Sequence, residues 1–80
     1  MIDYLTLKNS YITTIQIGLQ MNTEYEEAKR GNAFLHKLCE ICVDNSNYHE
    51  LDKQNMKREL ELVKAALSQE IELHFHRSQP

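Results

Sequence analysis

The chain has 80 residues, of which 26% are charged, and its formal net charge is −3. This balance argues against nucleic acid as a partner, because phosphates require clustered Lys and Arg, and the 41% apolar content argues against disorder. No run approaches the roughly 18 apolar residues of a membrane span. The start of the sequence also lacks the basic segment of a secretory signal, so we expect one small cytoplasmic domain over residues 1–80.

The first third of the chain fits two kinds of structure. Tyr4, Leu7 and Tyr11 recur at the spacing of one helix face. Apolar and polar residues alternate towards residue 21, and several of them are β-branched, which favours a strand. A single strand would need a second chain to pair with. We therefore predict a helix over residues 3–20, with a strand within 11–21 as the alternative.

A second helix is predicted over residues 22–43. Thr23 and Glu26 match a capping box, and the acids around them favour a helix N-terminus. Apolar or small residues then follow at steps of three and four. Gly31 and Asn32 interrupt this pattern, because glycine is unfavourable inside a helix. The helix therefore either continues through them or bends there.

The clearest break in the pattern is a run of four short polar residues at 44–47, which predicts a turn. A third helix is predicted over residues 48–75, with Ser46 or Asn47 as its cap. Its apolar stripe consists of Met56, Leu60, Val63, Leu67, Ile71 and His74. A connection of about four residues makes the second and third helices antiparallel. The sequence thus predicts an all-α protein, an antiparallel helical hairpin with a shorter N-terminal helix.

A domain of this size has a marginal core and is usually stabilised by a disulfide, a metal, an oligomer or a partner. Two helices cover each other's apolar stripes only in part, even with a third helix in front. We therefore expect the chain to bind another protein, or a second copy of itself, through an apolar helix face.

Cys39 and Cys42 form a C-x-x-C motif, which His36 extends to H-x-x-C-x-x-C. Structural zinc sites usually combine two ligand pairs on loops, whereas this one pair lies on a predicted helix face, where cysteine behaves as a small apolar residue. We interpret both cysteines as buried thiols and predict no metal. His74 and His76 fit the negative end of the helix dipole. Because no nucleophile, base or glycine-rich phosphate loop is recognisable, we also predict no cofactor and no catalytic activity.

Three segments of residues 26–78 resemble a known family. They are Glu26-Glu27-Ala28-Lys29 at the start of a helix, Asn47-Tyr48-His49 after the polar turn, and His74-Phe75-His76-Arg77-Ser78 at the end of the last helix. In these segments and in overall length, the chain resembles the small E-type co-chaperones of the type III secretion needle subunit.

The resemblance implies a function. Such proteins pair with a second chaperone built of tetratricopeptide repeats, and together they keep the needle subunit soluble and monomeric in the bacterial cytoplasm. An apolar helix face that enters a groove of the partner suits this role. The contact face of the family corresponds here to the candidate partner-binding residues Tyr48, Leu60, Val63, Leu67 and Ile71.

The residues also allow other functions. One alternative is a small regulatory or phage-derived protein that binds and inhibits a larger protein. Another is a helical homodimer with a structural role, and a third is a zinc-stabilised module that uses the cysteines and histidines.

Overall fold

The structure, a computed structural model, describes residues 3–77 and contains three α-helices in that range. Helix α1 spans Tyr4–Gln20, α2 spans Tyr25–Asp44 and α3 spans Glu50–Arg77. No strand occurs among the described residues, so the all-α class is confirmed and the strand alternative for the first third is wrong. No helix in this range combines the length and hydropathy that a membrane crossing requires. Ser78, where the family resemblance ends, lies outside the described residues.

The helices α2 and α3 form the predicted antiparallel hairpin. The start of α2 lies beside the end of α3, where the ring centroids of Tyr25 and Phe75 are 5.3 Å apart. The end of α2 lies beside the start of α3, where Lys57 Nζ is 2.9 Å from Asp44 Oδ1. The shorter α1 packs against both helices, which completes a three-helix bundle.

The core lies where the three helices meet. Its apolar residues are Tyr11, Ile15, Leu19, Ala28, Cys39, Val43, Leu60, Leu67 and Ile71. Each helix contributes three of them, at spacings that place them on one face. Burial of a large aliphatic side chain contributes roughly 1.5–3 kcal/mol, so this shared core is the main source of stability.

The pair Gly31 and Asn32 does not bend α2, which continues through both residues. Asn32 is 2% exposed, and its amide group donates to the Lys64 carbonyl at 3.1 Å and to Ser68 Oγ at 3.0 Å. The hydroxyl of Tyr11 donates to Asn32 Oδ1. Because its buried polar atoms are satisfied by α1 and α3, this asparagine connects all three helices at little desolvation cost.

A Schellman motif ends α1 and fixes the start of α2. The Thr23 N–H donates to the Gly18 carbonyl at 3.1 Å, and the Asn22 N–H donates to the Leu19 carbonyl at 3.4 Å. Asn22 has φ 63°, in the left-handed region that asparagine tolerates better than most residues. Consequently α2 begins at Tyr25, later than predicted.

The capping box predicted for Thr23 and Glu26 does not form. Glu24 is the N-cap residue of α2, and no side chain caps that end of the helix. Thr23 instead belongs to the Schellman motif, in which its backbone N–H donates to a carbonyl at the end of α1. The sequence therefore contains the residue types of a capping box, but their side chains do not form its hydrogen bonds.

The connection between α2 and α3 occupies residues 45–49, where 44–47 was predicted. The Ser46 hydroxyl donates to the Val43 carbonyl at 2.6 Å, so this side chain caps the end of α2 and not the start of α3. The carbonyl of His49 accepts the first backbone hydrogen bond of α3. The predicted turn is present, and polar side chains in it donate hydrogen bonds to carbonyl groups at the end of α2.

Candidate functional site

The candidate residues on the α3 stripe lie mostly inside the protein. Leu60 and Ile71 are 0% exposed and Leu67 is 3% exposed, because α1 packs over this face of the hairpin. Val63 is half-buried at the edge of the same core. A partner can contact the three buried residues only if α1 moves away from them.

Tyr48, the fifth candidate residue, has a role within the fold. It is half-buried in the connection between α2 and α3. Its hydroxyl oxygen accepts a hydrogen bond from the Tyr4 backbone N–H at 3.2 Å. This contact satisfies one of the N–H groups that the first turn of α1 leaves without a helical partner. Tyr48 therefore joins the α2–α3 connection to the start of α1.

A contiguous apolar surface lies on the outer side of α2. Phe34, Leu38 and Ile41 are 66%, 43% and 47% exposed. Their spacing of four and three residues places them next to one another along the helix. Phe34 is two residues from the buried Asn32 and His36, so it points roughly 200° away from the core at about 100° per residue. We call these three exposed residues the α2 stripe.

The other large exposed apolar residues in the described chain are more dispersed. Leu51, Leu62 and Leu73 recur every 11 residues along α3, which separates them by about 16 Å at 1.5 Å per residue. Ile17 and Met21 form a pair at the end of α1, and Leu5 lies alone near the start of the same helix. Isolated apolar residues are normal on a protein surface, whereas contiguous apolar patches indicate binding. The α2 stripe is therefore the strongest candidate.

An apolar groove between α1 and α2 adjoins the α2 stripe. Ile15 and Leu19 line it from α1, and Gly31 and Leu35 line it from α2. Leu35 precedes Leu38 by three residues, so the groove and the stripe share one side of α2. Its volume of about 200 Å³ is below the roughly 300–1,000 Å³ of small-molecule sites. The groove thus suits an apolar side chain of a partner better than a free ligand.

Two basic residues flank the α2 stripe. Arg30 precedes Phe34 by four residues and Lys37 precedes Ile41 by four, so each basic side chain is a surface neighbour of the stripe. Both are exposed, and neither forms a salt bridge within residues 3–77. Charges of this kind at one rim of an apolar surface favour a partner with acidic residues facing them, whereas the exposed Glu27 lines the adjoining groove.

The cysteines and histidines do not assemble into the zinc site considered from the sequence. Cys39 and Cys42 are free thiols, and burial raises the pKa of Cys39, which disfavours the thiolate that a metal needs. His36 contacts carboxylates of Glu40 and Glu61, and no cysteine belongs to a metal-binding cluster in the described residues. His36 with these two glutamates is the one donor set there that could hold a cation.

The tyrosine hydroxyls act as structural donors. Those of Tyr4 and Tyr25 donate to Glu59 and Glu72. Burial raises the pKa values of Tyr4 and Tyr11, and the hydrogen bond to Glu72 raises that of Tyr25. These hydroxyls therefore stay protonated at neutral pH and serve to connect helices.

The sequence did not predict the α2 stripe, because the steps of three and four in α2 do not separate Phe34, Leu38 and Ile41 from the residues of its core face. The signal was present, since Phe34, Leu38 and Ile41 repeat the same steps of four and three as a core stripe.

Comparison of the chain with protein-family models, with curated protein sequences and with solved structures finds no match.

Proposed function

We propose that this protein is a helical binding module that docks a partner protein on the α2 stripe and catalyses no reaction. The observation that supports this most strongly is the exposure of Phe34, Leu38 and Ile41 as one contiguous apolar row. Packing such a row against a partner removes apolar area from water, which is the main driving force for association.

The chemistry of the surface suggests the form of the partner. An amphipathic helix with apolar residues at steps of three and four fits against an apolar row of the same periodicity. One of its apolar side chains can enter the groove beside Leu35, and acidic residues on its flank can face Arg30 and Lys37. We therefore expect a partner helix that is apolar on one face and acidic beside it.

The charges disfavour an antiparallel homodimer through this same surface. Such a pairing centred on the stripe brings Lys37 of one copy close to Lys37 of the other, because its two-fold axis keeps both lysines on the same side of the interface. Like charges at an interface cost free energy, whereas an acidic partner converts the same lysine into an attractive contact. A different protein is thus a better occupant than a second copy.

The family resemblance narrows this proposal to a co-chaperone. In that case the partner is a tetratricopeptide-repeat chaperone that holds a type III secretion needle subunit, and the site of action is the bacterial cytoplasm. The α2–α3 hairpin suits this role, and the free thiols of Cys39 and Cys42 suit a reducing compartment. Under this proposal the α2 stripe makes the contact, and the buried α3 stripe stabilises the bundle.

A pair of matched variants tests the binding surface. Leu38→Glu places a charge in the α2 stripe, whereas Leu62→Glu makes the same change at a residue of α3 that is 68% exposed. The tagged wild type and both variants are purified from native cells, and the recovered partner is quantified by mass spectrometry. We expect Leu38→Glu to weaken binding by about 2 kcal/mol or more, roughly thirtyfold, and Leu62→Glu to retain the partner.

Circular dichroism of both variants establishes that each remains helical, as expected for changes at exposed positions. Retention of the partner by Leu38→Glu, or equal loss in both variants, would contradict the proposed surface. Recovery of a repeat-containing chaperone with a small needle-type subunit would support the co-chaperone function. A different single partner would leave the binding module in place and exclude that narrower function.

A further inference from the structure

A group of three potential metal ligands lies on the side of α2 that faces α3. His36 and Glu40 are one turn apart on α2, and Glu61 approaches them from α3. The His36 side chain is 6% exposed, whereas Glu61 is largely exposed, so the group opens to solvent on one side. It therefore combines a buried imidazole with two carboxylates that solvent ions can reach.

Each nitrogen of the His36 ring faces one of the two carboxylates. His36 Nε2 is 3.4 Å from Glu61 Oε1, whereas His36 Nδ1 is 3.8 Å from Glu40 Oε1. One donor atom from each residue lies within 4.8 Å of the other two. Ligands bound at about 2.0–2.2 Å in a tetrahedral site lie roughly 3.3–3.6 Å from one another. A cation bound to Nε2 beside Glu61 therefore requires the Glu40 side chain to turn from Nδ1 towards it.

One nitrogen of the buried imidazole has no hydrogen-bond partner among the described residues. His36 Nε2 is inaccessible to solvent and forms no hydrogen bond within the described chain, although it faces Glu61. Buried polar atoms without a partner are rare in folded proteins because they have lost their bonds to water. A cation bound between the nitrogen and the carboxylates would satisfy this atom.

We infer that His36, Glu40 and Glu61 bind a divalent transition-metal cation, with Zn²⁺ as the preferred ion. One imidazole nitrogen and two carboxylate oxygens give three protein ligands, and the exposed side of the group admits water as the fourth. Mg²⁺ and Ca²⁺ prefer six or more oxygen ligands, which this group does not supply. The bound ion joins α2 to α3 and gives a small domain the additional stabilisation that its size requires.

The inference is independent of the proposed protein-binding function. His36 and Phe34 are two residues apart on α2 and therefore lie on nearly opposite sides of the helix. The group also differs from the cysteine-containing motif in the sequence, because it uses neither Cys39 nor Cys42.

Zn²⁺ titration of the full-length protein by calorimetry, in the presence of a reducing agent, tests the site. We expect one ion to bind per chain and the thermal unfolding midpoint to rise with Zn²⁺. The Glu61→Gln variant changes an exposed side chain, so its fold should be retained. Its affinity should fall by about 10–100-fold or more, since changes outside the coordination sphere already cost that much.

The Glu72→Gln variant is the matched control. Glu72 Oε2 lies 3.4 Å from His76 Nε2, the distance found between Glu61 and His36, but that exposed pair belongs to no group of three donors among residues 3–77. Its Zn²⁺ affinity should equal that of the wild type. Co²⁺ provides a second readout, with visible d–d bands and no charge-transfer band from a thiolate.

Three results would overturn the inference. They are the absence of binding at micromolar Zn²⁺, an equal affinity in wild type and Glu61→Gln, and a thiolate-to-cobalt band that the Cys42→Ser variant removes. The first would identify His36 and the glutamates as an ion-pair cluster only, and the last would assign the metal to the cysteines.

Discussion

Asn32 and Phe34, two residues apart on α2, occupy environments opposite to those that hydropathy predicts. The polar Asn32 is buried and the apolar Phe34 is exposed. Asn32 is accommodated because Tyr11 and Ser68 satisfy its side chain from the two other helices. Phe34 is free to face outward because the core seam of α2 is filled without it. Asn32 connects the three helices, and Phe34 belongs to the surface that we propose for a partner.

The Tyr11→Phe variant tests the polar contact in the core. Removing the hydroxyl leaves Asn32 Oδ1 buried without its donor from α1. We expect the free energy of unfolding to fall by about 1–3 kcal/mol, the cost of an unsatisfied buried polar group. Urea denaturation measures this loss. Tyr25→Phe is the control, because it removes a bond to the partly exposed Glu72, where water can take its place, and a comparable loss there would contradict the account.

A substitution at Gly31 is expected to increase the stability of the protein. A Cβ atom at this position would lie 3.9 Å from Ile15 Cδ1, an ordinary van der Waals contact. We therefore expect Gly31→Ala to stabilise the protein by about 0.5–1 kcal/mol, because alanine loses less backbone freedom on folding. The urea midpoint should rise with an unchanged slope.

Gly18→Ala serves as the comparison for this gain. Its Cβ would lie 3.1 Å from Thr23 Oγ1, which is tight enough to disturb the turn after α1. We expect a smaller gain or a loss at this position. A destabilised Gly31→Ala variant would contradict this expectation and would show that Ile15 packs too closely against Gly31 to admit a methyl group.

At the scale of the helices, α1 is the element that converts a hairpin into a bundle. Its start is held to α3 by Glu59, which accepts a hydrogen bond from the Tyr4 hydroxyl and lies 3.2 Å from Lys8 Nζ. The resemblance to a hairpin family placed the contact face on α3, but α1 already covers that face. The surface that we propose for a partner is therefore on α2.

Because of the contact between α1 and α3, we expect the free energy of unfolding to depend on pH in the acidic range. The hydrogen bond from Tyr4, followed by that from Lys8, lowers the pKa of Glu59 below its ordinary 4.5. A carboxyl group with a lower pKa in the folded state stabilises the fold above the unfolded pKa and loses that contribution as the pH falls through the folded pKa. We expect the free energy of unfolding to fall below about pH 4.5, and to fall less steeply in Glu59→Gln.

Urea denaturation between pH 7 and pH 3 measures this difference. Glu70→Gln is the control, since Glu70 is an exposed acid of the same helix that forms no hydrogen bond or salt bridge within residues 3–77. Its profile should match that of the wild type. A Glu59→Gln profile parallel to the wild type would show that the contact with Tyr4 does not contribute to stability.

The sequence predicted the helices better than it predicted their ends and faces. The α3 stripe with Leu60, Leu67 and Ile71 was assigned correctly to one helix face because a single period fits it. The first third was ambiguous because Ile15 and Leu19 satisfy both a period of two and a spacing of four. Packing against α2 and α3 selects the helix, and this tertiary effect is not encoded in local propensity.

The candidate site could not be predicted for a related reason. α2 has one apolar row facing the core and another facing solvent, and periodicity alone does not say which is which. Burial of Asn32 depends on hydrogen-bonding groups of α1 and α3, which are distant in sequence. The surface proposed for a partner on α2 therefore depends on how α1 and α3 pack against this helix.

For the whole molecule, an elongated bundle of 49 × 20 × 16 Å leaves one long side of α2 available to a partner. The central claim is that a partner helix lies on the α2 stripe. Site-specific photo-crosslinking in native cells tests this most directly, with a photoreactive phenylalanine analogue at Phe34 and, as control, at Leu62. These positions are 66% and 68% exposed, so solvent access does not distinguish them. We expect a defined adduct with one protein from position 34 and none from position 62; the same adduct from both positions, or from position 62 alone, would contradict the claim.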